Sequence, residues 1–180
     1  MPRLFVAIDL PEDIKDQLIE TYHAIPGAKW IDEKQLHLTL RFIGDVQNDI
    51  ADRIHLSLKS VSSSSFSMAL KGVGYFPPKR HPRVLWFGIA ENPELLQFQA
   101  KIDKVITEAG IAPEGRKYSP HITVARLNKS PLERIVNFIS ANSLFSTDSF
   151  TVTEFHLYSS TLGKEGAHHI KEATYPLRDY

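Results

Sequence analysis

Two short stretches decide how this chain reads: His37-Leu38-Thr39-Leu40-Arg41-Phe42-Ile43 and His121-Ile122-Thr123-Val124-Ala125-Arg126-Leu127. Residues 36–43 alternate between apolar and polar side chains, as a strand with one face in a core does. Side chains at i and i+2 of a strand share a face. His37 and Thr39 should therefore point one way, and Leu36, Leu38, Leu40 and Phe42 the other, into a core. His121 and Thr123 likewise share a face, opposite Ile122 and Val124. Each strand offers an imidazole beside a hydroxyl on an otherwise apolar ribbon.

The sequence on either side of these strands repeats one programme. Residues 3–10 form a β-rich run, with Pro11 placed for a first helical turn. Ile14, Leu18, Tyr22 and Ile25 recur at helical spacing until Pro26-Gly27. Ile50, Ile54, Leu58 and Val61 mark a second helix, and residues 66–75 another strand. The second half gives strand 83–90, helix 93–110, strand 120–127, helix 131–142 and a final long strand 150–159. His37 precedes Phe66 by 29 residues, and His121 precedes Phe150 by the same 29. Such register points to a duplicated unit. Its two copies would pack about a pseudo-two-fold axis, with equivalent strands facing across a cleft. The expected fold class is α+β: one bilobal domain over residues 1–180, its lobes being the halves 1–80 and 81–180, with two antiparallel sheets flanked by helices around a central cleft.

Composition narrows the chemistry. The 180 residues suffice for one domain with a real core. Lys+Arg and Asp+Glu both number 21, so the chain is neutral overall. A general nucleic-acid coat is basic, so contact with RNA would be local. The absence of cysteine excludes disulfides, thiolate nucleophiles and Cys-based zinc sites. Only five apolar residues precede Asp9, too few for a signal peptide or a span of about 20 residues, and the chain reads as cytoplasmic, with no membrane partner.

Two facing strands would gather two imidazoles and two hydroxyls around one small volume, which suits a phosphodiester. A neutral imidazole takes a proton from water while an imidazolium protonates the departing ribose oxygen. Thr39 and Thr123 would donate hydrogen bonds to the non-bridging oxygens, where charge builds up. No cofactor or metal is needed. One His-x-Thr strand alone is more often structural; two at matching places in a repeat carry weight.

Paired strands of this kind, with the opening Arg3-Leu-Phe-Val-Ala-Ile-Asp9, the segment His37-Leu-Thr-Leu-Arg-Phe-Ile-Gly44 and the segment Ser119-Pro-His-Ile-Thr-Val-Ala-Arg126, resemble the 2H phosphoesterases. The nearest branch is that of the bacterial and archaeal RNA 2′,3′-cyclic phosphodiesterases, also called 2′-5′ RNA ligases. The resemblance implies hydrolysis of a 2′,3′-cyclic RNA end to a 2′-phosphomonoester, without a metal, by a monomer. It makes His37 the proton donor to the 3′ oxygen, His121 the base that activates water, and Arg126 a phosphate contact. Two alternatives share these motifs: a 2′-5′ oligonucleotide phosphodiesterase or ligase, and a nucleotide- or RNA-binding module without turnover.

Other residues compete for attention. Strict alternation puts Arg126 on the face opposite His121, so a bulge or strand end must turn it inward. Arg41 shares the face of His37, about 13 Å along the strand, to meet an RNA backbone or solvent. The segment Tyr75-Phe-Pro-Pro-Lys-Arg-His-Pro-Arg83 mixes aromatic and basic side chains. It reads as an RNA contact or as a Pro-rigidified hairpin, the latter favoured for Lys79 and His81. His168-His169 read as loop histidines and not as metal ligands, since no acidic or cysteine cluster completes a zinc site. His23 and His55 fall on helices, and His156 in a strand that lacks the threonine.

Overall fold

The computed structural model describes residues 1–77, 80–164 and 166–178. Along the chain these form β1 (Arg3–Asp9), α1 (Glu12–Ile19), β2 (Ala28–Trp30), a 3-10 turn (Glu33–Gln35), β3 (His37–Asp45), α2 (Asn48–Lys59), β4 (Phe66–Met68) and β5 (Leu70–Phe76). The second half adds β6 (Val84–Ile89), α3 (Pro93–Glu108), β7 (His121–Leu127), α4 (Leu132–Ala141), β8 (Phe150–Val152), β9 (Glu154–Gly163) and β10 (Gly166–Pro176). The α+β expectation holds. No helix among the described residues is long and apolar enough to cross a membrane.

Two four-stranded antiparallel sheets carry the fold, in the orders β10-β9-β1-β3 and β2-β7-β6-β5. In one, β1 lies between β3 and β9; in the other, β6 lies between β7 and β5. The duplication is thus visible in the pairing, with β5 and β9 exchanged between the lobes. The lobes therefore do not coincide with the halves 1–80 and 81–180, since each sheet takes strands from both. The exchange occurs where the expected long strands break, at Ala69 and Thr153. Before each break, β4 and β8 pair with one another, placing Ser67 opposite Thr151.

Apolar periodicity buries one face of each sheet. Leu38, Leu40, Ile54, Leu58, Phe98, Ile102, Phe155 and Leu157 belong to the core, as do Ile14, Leu18, Phe87, Ile122, Val124 and Phe138. Phe98 of α3 meets Phe155 of β9, with ring centroids 5.2 Å apart, and Phe138 of α4 meets Phe87 of β6 at 6.0 Å. The Asn92 side chain caps α3 by accepting from the Leu95 amide at 3.0 Å, ahead of Pro93. The first helix stops at Ile19 instead of running to Ile25, and His23 consequently lies in the connection that leads to β2. Tyr22 is taken up by tertiary contacts: it stacks on Trp30 at 4.4 Å and its hydroxyl donates to the Ile31 carbonyl.

Each motif strand carries an extra residue at its fourth motif position, and β3 carries a second at Ile43. Between β1 and β3 the register jumps from Val6–Arg41 to Ala7–Thr39, leaving Leu40 unpaired. Between β6 and β7 it jumps from Leu85–Ala125 to Trp86–Thr123, leaving Val124. Both are bulges at the fourth residue of the motif. The carbonyl each bulge frees is satisfied: that of Leu40 accepts from Gln99 Nε2 at 3.0 Å, and that of Val124 from the Ile31 amide at 2.8 Å. Beyond the bulge, alternation is inverted. Leu40 and Arg41 are both buried, as are Val124 and Ala125, whereas Phe42 and Arg126 emerge exposed on the opposite face.

Arg41 therefore neither faces RNA nor sits in solvent. It is 6% exposed, donates to Asp103 at 2.6 Å, and donates to the carbonyls of Ala112 and Phe42 at 2.6 and 2.7 Å. Phe42, expected in the core, is 47% exposed. Removing the guanidinium would orphan Asp103 and two carbonyls, although Asp103 retains some water. Arg41→Ala should lower the unfolding free energy by roughly 2–4 kcal/mol in urea melts. A loss under about 0.5 kcal/mol, the range of ordinary surface changes, would mean that these contacts hold nothing together.

Candidate active site

β3 and β7 approach one another where the two sheets meet. The hydroxyl of Tyr118, just ahead of β7, donates to the Thr39 carbonyl at 2.8 Å and ties the motif strands together. On each strand the imidazole is anchored in the same manner. His37 Nδ1 lies 2.6 Å from the Gln35 carbonyl, and His121 Nδ1 lies 2.8 Å from the Ser119 carbonyl. A carbonyl only accepts, so Nδ1 carries the proton and Nε2 is the free position in the neutral ring. Both anchoring residues stand two places before their histidine. At His37 the Thr39 hydroxyl is 3.0 Å from Nε2.

The two imidazoles have different surroundings. Phe5 stacks on His37 at 5.1 Å, His169 meets it edge-on at 5.6 Å, and Tyr158 lies at 6.3 Å. Ala7, on the strand between Phe5 and Asp9, leaves room for those rings to lean together. His121 has Phe76 edge-on at 5.1 Å and Trp86 at 6.2 Å. Trp86 fits because residue 74 is glycine: a β-carbon there would lie 2.3 Å from the indole. Burial depresses His37 from the ordinary histidine value to about 4, and the charges of His169 and Arg126 push the same way. The Gln35 carbonyl and Asp9 oppose them without prevailing.

Arg126 needs a bulge or a strand end to leave the face that strict alternation gives it. The Val124 bulge brings it to the face of His121 and Thr123, where its charge reaches both His37 and His169. Thr39 and Thr123 sit half-buried on the motif face. His37 and Thr39 thus share one face of β3, and His121, Thr123 and Arg126 share one face of β7.

The sequence reading missed β10 and what it brings. His168 and His169 lie in that strand and not in a loop. His169 packs edge-on against Phe5 at 5.0 Å as well as against His37. β10 has no apolar stripe to announce it, and Ile170 is exposed; the spaced glycines Gly163 and Gly166 were the available sign of a hairpin. Beside His169, Lys171 donates to Asp9 at 2.7 Å, and Asp9 also accepts from the Tyr158 hydroxyl at 2.5 Å. The buried His156 lies 3.3 Å from the same carboxylate. Burial alone would raise Asp9, but these donors outweigh it and hold the carboxyl below its ordinary range. The network props Tyr158, and through it Phe5, against His37.

The remaining candidates stay outside the cleft or are structural. His55 on α2 bonds the Tyr175 hydroxyl at 2.7 Å, and His23 stacks on Phe138 at 5.6 Å. In the segment 75–83, Phe76 edges His121 and the Arg83 amide closes the hairpin on the Phe76 carbonyl at 2.7 Å. His81 is exposed, and Lys79 lies outside the described residues. Among the described residues no three His, Cys, Asp or Glu side chains converge to hold a metal ion.

Comparison with known proteins agrees with this fold. A family model described as the 2′-5′ RNA ligase superfamily matches residues 10–164. The chain belongs to that superfamily. It is 34% identical over 172 residues to the RNA 2′,3′-cyclic phosphodiesterase of Thermotoga maritima, covering 91% of this chain and 89% of that protein. It is 32% identical over 172 residues to the protein of the same name from Methanocaldococcus jannaschii, covering 91% and 94%. Among solved structures, Escherichia coli LigT complexed with 3′-AMP superposes with a TM-score of 0.80 at 26% identity, over 99% of this chain and 100% of that one. TT0787 of Thermus thermophilus gives 0.82 at 26%, over 98% of each.

Because His37 is depressed in the folded protein, its stabilising neutrality is complete above the unfolded value near pH 6.5. That contribution is lost as pH falls from 6.5 toward the folded value of about 4, a loss of roughly 3 kcal/mol. NMR titration should therefore place His37 near 4, and bound inorganic phosphate should move it upward. A titration at 6.5 in the free protein would show the imidazole to be hydrated.

Proposed function

We propose that this superfamily member hydrolyses 2′,3′-cyclic phosphodiester ends of RNA to 2′-phosphomonoesters, acting as a monomer through His37 and His121. The observation that carries this reading is the matched anchoring of the two imidazoles. Each has Nδ1 fixed to the carbonyl two residues upstream and Nε2 left for chemistry, on strands that converge with Arg126. Relatives of similar length named RNA 2′,3′-cyclic phosphodiesterase support the choice of substrate.

In the proposed reaction, His121 Nε2 accepts a proton from a water as its oxygen attacks phosphorus. The bond from phosphorus to the 3′ oxygen breaks, and the imidazolium of His37 gives its Nε2 proton to that oxygen. The products are a 3′-hydroxyl and a 2′-phosphate, and the two histidines have exchanged protonation states. Arg126, Thr39 and Thr123 would meet the non-bridging oxygens, where negative charge accumulates. His37 is neutral in the empty site at pH 7, so it must gain its proton as the anionic phosphate binds. A negative charge beside Nε2 favours the imidazolium for that reason.

His37→Ala and His121→Ala should each reduce turnover of an RNA with a 2′,3′-cyclic end by roughly 10²-fold or more. Near-normal turnover of either folded variant would remove the two-histidine mechanism. Thr39→Val and Thr123→Val keep shape and β-propensity while deleting a donor, and should each cost up to about 2–4 kcal/mol in kcat/KM. Unchanged kinetics in both would leave the threonines as strand formers. The mechanism needs no metal, so EDTA should not alter the rate; loss of activity restored by a divalent ion would overturn it.

A further inference from the structure

We infer that His169 is a further ligand of the reacting phosphate, donating a ring N–H to a non-bridging oxygen beside Arg126. This inference rests on the RNA-end reading above and adds a residue to that site. His169 lies on β10, whose start is in contact with both lobes. The Gln35 side chain donates to the Ala167 carbonyl at 2.5 Å, so the residue whose own carbonyl holds His37 also holds β10. On the other side, a β-carbon at Gly166 would lie 2.7 Å from Lys29 Nζ, and Lys29 is opposite Arg126 in the register of β2 and β7. The start of β10 therefore touches both the segment ahead of β3 and the strand beside Arg126.

The ring itself is held by packing alone. It makes T-shaped contacts with Phe5 at 5.0 Å and with His37 at 5.6 Å. The other buried or half-buried histidines each have a hydrogen bond: His37 and His121 to carbonyls, His55 to the Tyr175 hydroxyl and His156 to the Thr174 hydroxyl. Among the described residues the half-buried His169 has no such partner at either ring nitrogen. A neutral imidazole always carries one N–H, so a donor is left for a ligand. Burial, with the charges of Arg126 and His168, holds His169 below the ordinary histidine range, and the ring is neutral at pH 7. A neutral donor can bond the phosphate without repelling the proton that His37 must gain. A hydrogen bond to a charged oxygen is also roughly twice as strong as one between neutral groups.

The test separates the N–H from the ring. His169→Phe keeps the packing on Phe5 and His37 but has no donor, whereas His169→Gln gives up the ring and keeps an N–H. By calorimetry, His169→Phe should weaken inorganic phosphate roughly tenfold, and His169→Gln by no more than about threefold. In turnover of a cyclic-ended RNA, His169→Phe should raise KM roughly tenfold and leave kcat within about threefold, because the contact holds substrate and transition state alike. Normal phosphate affinity in His169→Phe would overturn the proposal. So would a Gln variant as weak as the Phe variant or weaker, since a lost donor would then not account for the effect. Wild-type protein that binds phosphate but leaves the cyclic end intact would instead count against the hydrolytic reading, with the phosphate contact still standing or falling on the two variants.

Discussion

The residue inserted at the fourth motif position of each strand arranges what surrounds it. Without the bulges at Leu40 and Val124, alternation would keep Arg126 on the buried side and bring Arg41 onto the motif face. With them, two successive residues turn into the core and the next one returns to the cleft. The carbonyls that bulging exposes are met by Gln99 on one strand and the Ile31 amide on the other. Those partners come from α3 and from the segment after β2, so each carbonyl is met by tertiary packing and not within its own strand. Local backbone irregularity and global packing are therefore the same event here.

The electrostatic consequence follows from which residues line the two imidazoles. His37 sits against Phe5, Tyr158 and His169, with Arg126 near enough to repel a second positive charge. Burial and the neighbouring positive charges together favour the neutral ring. The Asp9 network, with Lys171, Tyr158 and His156 around one carboxylate, holds the wall in place, and its charge opposes the depression of His37 without overcoming it. In the proposed reaction, proton gain by His37 accompanies the arrival of the phosphate.

Much of this was legible in the residues. The period of the apolar side chains placed all four helices, and the repeated spacing from each motif histidine revealed the duplication. The exchange of β5 and β9 between lobes was not legible, because nothing in a strand's own pattern names its partner. The bulges were half-legible: Val124-Ala125 places two apolar residues in succession, but at Leu40-Arg41 the second is charged. Its burial depends on Asp103, which lies 62 residues away in sequence. β10 was missed because it covers the cleft side with polar residues and leaves Ile170 exposed. Its contribution to the site, His169, therefore carried no periodic signal.

The central claim is that His37 and His121 divide the proton transfers, with His37 serving the departing 3′ oxygen. A pH profile cannot assign those parts, since an acid and a base with exchanged ionisation give the same bell. A cyclic substrate with sulfur in place of the departing 3′ oxygen can, because a thiolate leaves without being protonated. Turnover of this substrate should be nearly normal in His37→Ala, while His121→Ala remains slow by roughly 10²-fold. Rescue of His121→Ala instead, or of neither variant, would contradict the account.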